Sequence, residues 1–202
     1  MTDDKYLTRQ TLLMRAKARS DQAAWEEFIE VYQAFIFHVI KRMNIRLDDQ
    51  EDLVQEVLVL LWEKLESYNP EKGRFRSWLS FVIRNVVLNF IKKNNSQLKK
   101  IDRLAKDPSH DFSKEKTKDS EIDKLIEDEW KLHVSTLAFE NIRSLFSGKA
   151  IEVFEMSLKG LSLNQISDEL ELPYNSVKVL KSRVKSRYMA EVKRLIHNFE
   201  EC

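Results

Sequence analysis

The chain has 202 residues, 43% of them hydrophobic and 33% charged, with 34 Lys plus Arg against 33 Asp plus Glu. Its three Gly and three Pro, where average usage gives about 14 and about 10, leave little material for the tight turns of a sheet-rich fold, so an all-α protein is expected. No run of about 18 apolar residues occurs, Met1–Lys5 is polar and acidic, and the single cysteine is Cys202; neither a membrane span, a secretory leader nor a disulfide or Cys-rich zinc site is expected, and the reducing cytoplasm fits best.

The length allows two small domains. The six breakers fall at Pro70, Gly73, Pro108, Gly148, Gly160 and Pro173, and the long stretches between them should be helices. Composition turns to Lys, Asp, Ser and Glu after Asn94. The expected organisation is a helical domain over 8–95, a polar and partly helical linker over 96–130 and a second helical domain over 131–200.

Within the first domain, Asp48 or Asp49 can cap a helix carrying Leu53, Val57, Leu60, Leu61 and Leu65. Residues 48–66 hold seven acids against Lys64 alone. No His, Lys or phosphate loop accompanies them, so no catalytic residue is assigned; Gln55 and Glu56 beside large apolar residues suggest a protein-docking face instead.

The next segment, Tyr68-Asn69-Pro70-Glu71-Lys72-Gly73-Arg74-Phe75-Arg76-Ser77-Trp78, mixes loop breakers, bases and aromatics, as a site for unpaired nucleic-acid bases does. Phe75, Trp78 and Phe81, spaced three apart, can instead lie on one core face, and for Phe75 and Trp78 that reading is preferred to direct stacking. Asn85, Asn89, Lys92 and Lys93 fall on the outer side of the following helix, where amides and bases suit base edges and phosphates. Nine bases against Asp102 occupy residues 72–103.

In the second domain, Ser162-Leu163-Asn164-Gln165 has the form of a capping box, so a helix should start there and end near Glu169 to Glu171. Leu163, Ile166 and Leu170 share its buried face. Pro173 suits the opening of the next helix, which buries Val177, Leu180, Val184 and Tyr188 and turns Tyr174, Asn175, Ser176, Lys178, Lys181, Ser182 and Lys185 outward. A short helix, a turn and a helix with a basic outer face is the geometry that enters a DNA major groove. Glu171 is an awkward turn residue if its φ is positive, a conformation costing a non-Gly residue about 1 kcal/mol.

These residues resemble a known family, the small extracytoplasmic-function group of bacterial RNA polymerase sigma factors. Glu51-Asp52-Leu53-Val54-Gln55-Glu56-Val57, Leu61-Trp62, Phe75-Arg76-Ser77-Trp78-Leu79 and Arg84-Asn85 are similar to its domain two in order and spacing. Gly160-Leu161-Ser162 through Ile166, Ser176-Val177-Lys178 and Ser182-Arg183 resemble its domain four.

The resemblance implies that Asp52, Leu53, Gln55, Glu56, Leu61 and Trp62 bind core RNA polymerase. It implies that Tyr68, Asn69, Lys72, Arg74, Phe75, Trp78, Arg84, Asn85, Asn89, Lys92 and Lys93 engage the melted minus-ten element. Tyr174, Asn175, Ser176, Lys178, Lys181, Ser182, Arg183 and Lys185 would engage the minus-thirty-five element. Promoter DNA, core polymerase and an anti-sigma protein are the implied partners. Asn89 stands where many relatives carry Asp, and Glu171 where they carry a turn Gly.

The competing expectations are a helix-turn-helix regulator that binds duplex operator DNA without polymerase, and a helical adaptor with no nucleic-acid role. No enzyme activity, small-molecule substrate, cofactor or metal is expected, since His38, His110, His133 and His197 are scattered without ligand spacing and no Gly-rich phosphate loop exists.

Overall fold

A computed structural model of the chain describes residues 9–18, 21–102 and 115–200, and every regular element among them is helical. In order these are α1 (Arg9–Lys17), α2 (Gln22–Arg42), α3 (Leu47–Lys64), 3-10 turns at Leu65–Ser67 and Pro70–Lys72, α4 (Phe75–Asp102), α5 (Glu115–Arg143), α6 (Ala150–Leu158), α7 (Leu163–Glu169) and α8 (Tyr174–Glu200). The all-α expectation holds. Contacts divide the chain into two units, one of Met1–Lys131 with Asn198–Cys202 and the other Leu132–His197, and the chain first passes between them inside α5.

The first unit is built on α2, whose Phe28, Tyr32, Phe35, Ile36, Val39 and Ile40 recur at three- and four-residue steps and are buried. Asp21 starts this helix by accepting from the Ala24 amide at 2.9 Å, and Arg15 of α1 donates to the Asp21 carboxylate at 2.8 Å. Leu53, Val57 and Leu61 of α3 and Phe75, Leu79, Ile83 and Val87 of α4 complete the core. Asn44 makes the turn from α2 to α3 at φ 56°, a conformation Asn tolerates better than most residues. Aromatic rings meet edge to face at its centre, with Phe28 and Phe75 at 6.0 Å and Tyr32 and Phe75 at 5.4 Å.

In the second unit Ser162 forms the expected capping box, its hydroxyl accepting from the Gln165 amide while the Gln165 side chain accepts from the Ser162 amide. Ile166 and Leu170 of α7 are buried with Val153, Met156 and Val177, and Val184 of α8 packs with Ile142, Ala150 and Phe154. Glu171 has φ 50°. That turn is stapled by Ser167 Oγ donating to the Leu172 carbonyl at 2.5 Å and Lys149 Nζ donating to the Leu170 carbonyl at 2.5 Å, bonds that offset the strained backbone.

Three local details follow from the structure. Arg46, not an aspartate, is the N-cap of α3 and makes no side-chain cap bond; Asp48 and Asp49 lie inside the first turn, where the helix dipole favours them and Arg46 lies 3.5 Å from the Asp48 carboxylate. Phe81 is not core but 62% exposed, because steps of three residues drift about 60° from a common face at each step. Most of the expected linker is helical, with α4 running to Asp102 and α5 starting at Glu115, and Ile126 and Trp130 are buried in the first unit. Trp130 stacks on Tyr32 at 6.5 Å and meets Phe35 edge to face at 5.2 Å.

Candidate nucleic-acid interface

The loop before α4 is held from several sides. Asn69 accepts from the Glu71 amide at 2.9 Å, capping the turn at Pro70–Lys72, and the Tyr68 hydroxyl donates to the Gly73 carbonyl at 3.0 Å. Lys17 of α1 donates to the Tyr68 carbonyl and stands 5.1 Å over its ring. Gly73 sits at φ 155°, ψ 166°, a region essentially reserved for glycine, and nothing would touch a Cβ added there. Glycine is needed for its backbone alone.

Tyr68 and Phe75 are buried, 5.4 Å apart and each within 5.6 Å of the half-buried Trp78. They are therefore not open stacking platforms but shape the loop from beneath, in line with the core reading of Phe75. Lys72 and Arg74 are exposed on it, and Asn69 is half-buried.

Along α4, Asn89 and the cations Lys92 and Lys93 are exposed and Arg84 and Asn85 are half-buried. Phe81 lies four residues before Asn85 and eight before Asn89, so it shares their stripe. An exposed aromatic followed at helical spacing by amides and then cations can stack a base, bond its edge and hold a phosphate. Sequence reasoning missed Phe81 by grouping it with Phe75 and Trp78; its four-residue spacing to Asn85 was the signal that could have found it.

On α3, Asp52, Gln55 and Glu56 are exposed, and Trp62 is half-buried with its ring 4.8 Å from Trp25. Leu53 and Leu61 are core side chains, because the apolar face of an amphipathic helix packs on its own unit. Beside Gln55 a groove of about 580 Å³ runs between α2 and α3, with Phe37, Val54 and Leu58 among its apolar lining and Glu30 and Glu51 among its acids.

In the second unit Tyr174, Asn175, Lys178, Ser182, Arg183 and Lys185 are exposed on α8, and Ser176 and Lys181 are half-buried. Tyr174, Lys178, Lys181, Ser182 and Lys185 form one stripe flanking the buried face of Val177 and Val184. Arg183 lies over the Phe146 ring at 5.7 Å, so it is partly engaged by its own unit. Further along α8, buried Glu191 accepts from Asn141 at 2.7 Å and from Arg194 at 2.6 and 2.9 Å. The Arg194 guanidinium, followed by the Asn141 amide, holds the Glu191 carboxyl below the usual range against the opposing effect of burial.

Among the described residues no three His, Cys, Asp or Glu side chains are grouped to hold a metal ion, and no helix is long and apolar enough to cross a membrane.

Residues 28–97 match the sigma-70 region 2 family. The chain is 28% identical over 79 residues to the ECF RNA polymerase sigma factor SigE of Mycolicibacterium smegmatis, covering 38% of this chain and 30% of that protein. It is 23% identical over 95 residues to RpoE of Cereibacter sphaeroides, covering 46% and 52%, and 24% identical over 75 residues to SigW of Bacillus subtilis, covering 37% and 40%; both are named ECF RNA polymerase sigma factors. The matched part thus spans about half or less of these curated relatives. The region 2 match takes in the α3 acids, the Gly73 loop and the α4 stripe together, and over that stretch the chain is similar to sigma factors of the extracytoplasmic-function group.

Proposed function

We propose that this chain is a non-enzymatic initiation subunit that gives core RNA polymerase its promoter specificity and helps open the DNA, acting in the cytoplasm. The observation that carries the reading is the stripe of Phe81, Asn85, Asn89 and Lys92 on α4, beside a loop closed by Gly73, inside the stretch that matches region 2. Capturing an unstacked base costs a few kcal/mol, which stacking and edge bonds offset. The Asp52, Gln55, Glu56 and Trp62 face of α3 would dock core polymerase, and the basic stripe of α8 would lie in the major groove of the minus-thirty-five element. An anti-sigma protein is the further partner that the family reading brings with it.

The test is transcription of fragmented genomic DNA from the source organism by core polymerase with and without this protein, mapping RNA 5′ ends. New starts sharing two upstream elements are expected. No new starts from a folded protein and an active core would refute the reading, and tight operator binding by the free protein would favour a conventional regulator.

A further inference from the structure

The α4 cations have an intramolecular claimant. The first part of α5 carries Glu121, Asp123, Glu127, Asp128 and Glu129, and lies against α2 and α4 within the first unit. Arg84 Nη1 is 3.3 Å from the Asp123 carboxylate, and Arg76 is ion-paired with Glu127. Asp123, Glu127 and Trp130 recur at steps of four and three, so they share one face of α5. Trp130, 3% exposed, anchors that face in the core, and the Arg76 guanidinium stacks over its ring at 5.7 Å.

A guanidinium takes carboxylate and phosphate with the same forked geometry, so it cannot serve both at once. The Arg84–Asp123 pair, with side chains 27% and 59% exposed, is of the solvent-screened kind that exchanges readily. We propose that Asp123 and Glu127 are an intramolecular competitor for Arg84 and Arg76, which single-stranded DNA must displace to gain the two guanidiniums. The free protein is thereby held in a weak DNA-binding state while Trp130 stays seated. This rests on the nucleic-acid reading of α4, and the test separates the two.

The experiment measures binding of the full chain to a fluorescein-labelled, random-sequence single-stranded DNA pool by anisotropy across a salt series. Compared are wild type, Asp123→Asn/Glu127→Gln, the equal-charge control Glu121→Gln/Asp128→Asn, and Arg84→Ala in the wild-type and Asp123→Asn/Glu127→Gln backgrounds. Neutralising Asp123 and Glu127 should tighten binding about three- to ten-fold. It should also steepen the salt dependence by about 1.4, two single-strand phosphate contacts at about 0.7 each.

The control should change affinity less than about two-fold with no change of slope. Asp123→Asn alone, at the more exposed carboxylate, should give about half the slope change. Equal behaviour of the two double variants overturns the competitor. If Arg84→Ala weakens binding in wild type while Asp123→Asn/Glu127→Gln does not differ from it, the competitor falls and the DNA reading stands. If Arg84→Ala has no effect in either background, the DNA reading of α4 falls and takes the competitor with it.

Discussion

Glu191 ties α8 to α5 within the second unit through Asn141 and Arg194, and its pH response has a definite sign. A carboxyl whose folded pKa is depressed stabilises the fold fully above its unfolded pKa, about 4.3 for Glu, and loses that contribution as pH falls through the lower folded value. Glu191→Gln should therefore cost about 1.5 kcal/mol near neutral pH, with the gap in melting temperature to wild type closing below about pH 4. A gap that stays constant from pH 7 to pH 3 would show that the charge is not what Glu191 contributes. This residue could not have been picked from the sequence, where it is one acid among the bases of α8. Glu171 could, because a turn squeezed between a capped helix and Pro173 leaves its backbone few conformations, and its φ is 50°. The difference lies in range: local backbone geometry is encoded within a few residues, whereas Asn141 and Glu191 are 50 positions apart.

On the proposed function the outer face of α3 docks polymerase while its inner face packs the core, and substitutions should divide accordingly. Trp62→Ala and Gln55→Ala are expected to weaken binding to core polymerase while Lys181→Ala on α8 spares it, read by titrating labelled core with each variant. Equal core affinity for all three would remove α3 as the docking face. Leu61→Ala should instead lower stability by about 2 to 5 kcal/mol, seen in urea unfolding, with core binding altered only through loss of fold. Periodicity exposed these faces well on α7 and α8, where Leu163, Ile166, Leu170, Val177 and Val184 all pack inward. It served less well on α3 and α4, since motif membership says that a residue matters without saying which side of the helix it occupies. Leu53, Leu61, Tyr68 and Phe75 belong to the motif blocks and sit inside.

At the scale of the whole chain, the polar composition after Asn94 suggested a spacer, yet Ile126 and Trp130 are buried in the first unit and Glu129 pairs there with Arg42 of α2. Average composition cannot register two well-placed side chains. A protease site introduced between Asp102 and Glu115 should accordingly produce two fragments that still elute together on size exclusion at neutral pH, held by Trp130 against Tyr32 and Phe35. Fragments that separate would show that this packing is too weak to hold them, and Trp130→Ala should bring that separation about. The crossing of the chain between units inside α5, at Lys131–Leu132, also decides how such proteins are recombined. A chimaera joined in the polar stretch would carry a foreign plug into the first unit's core. A join after Lys131 leaves Trp130 with the helices it packs against and keeps Leu132–His197 together as one unit.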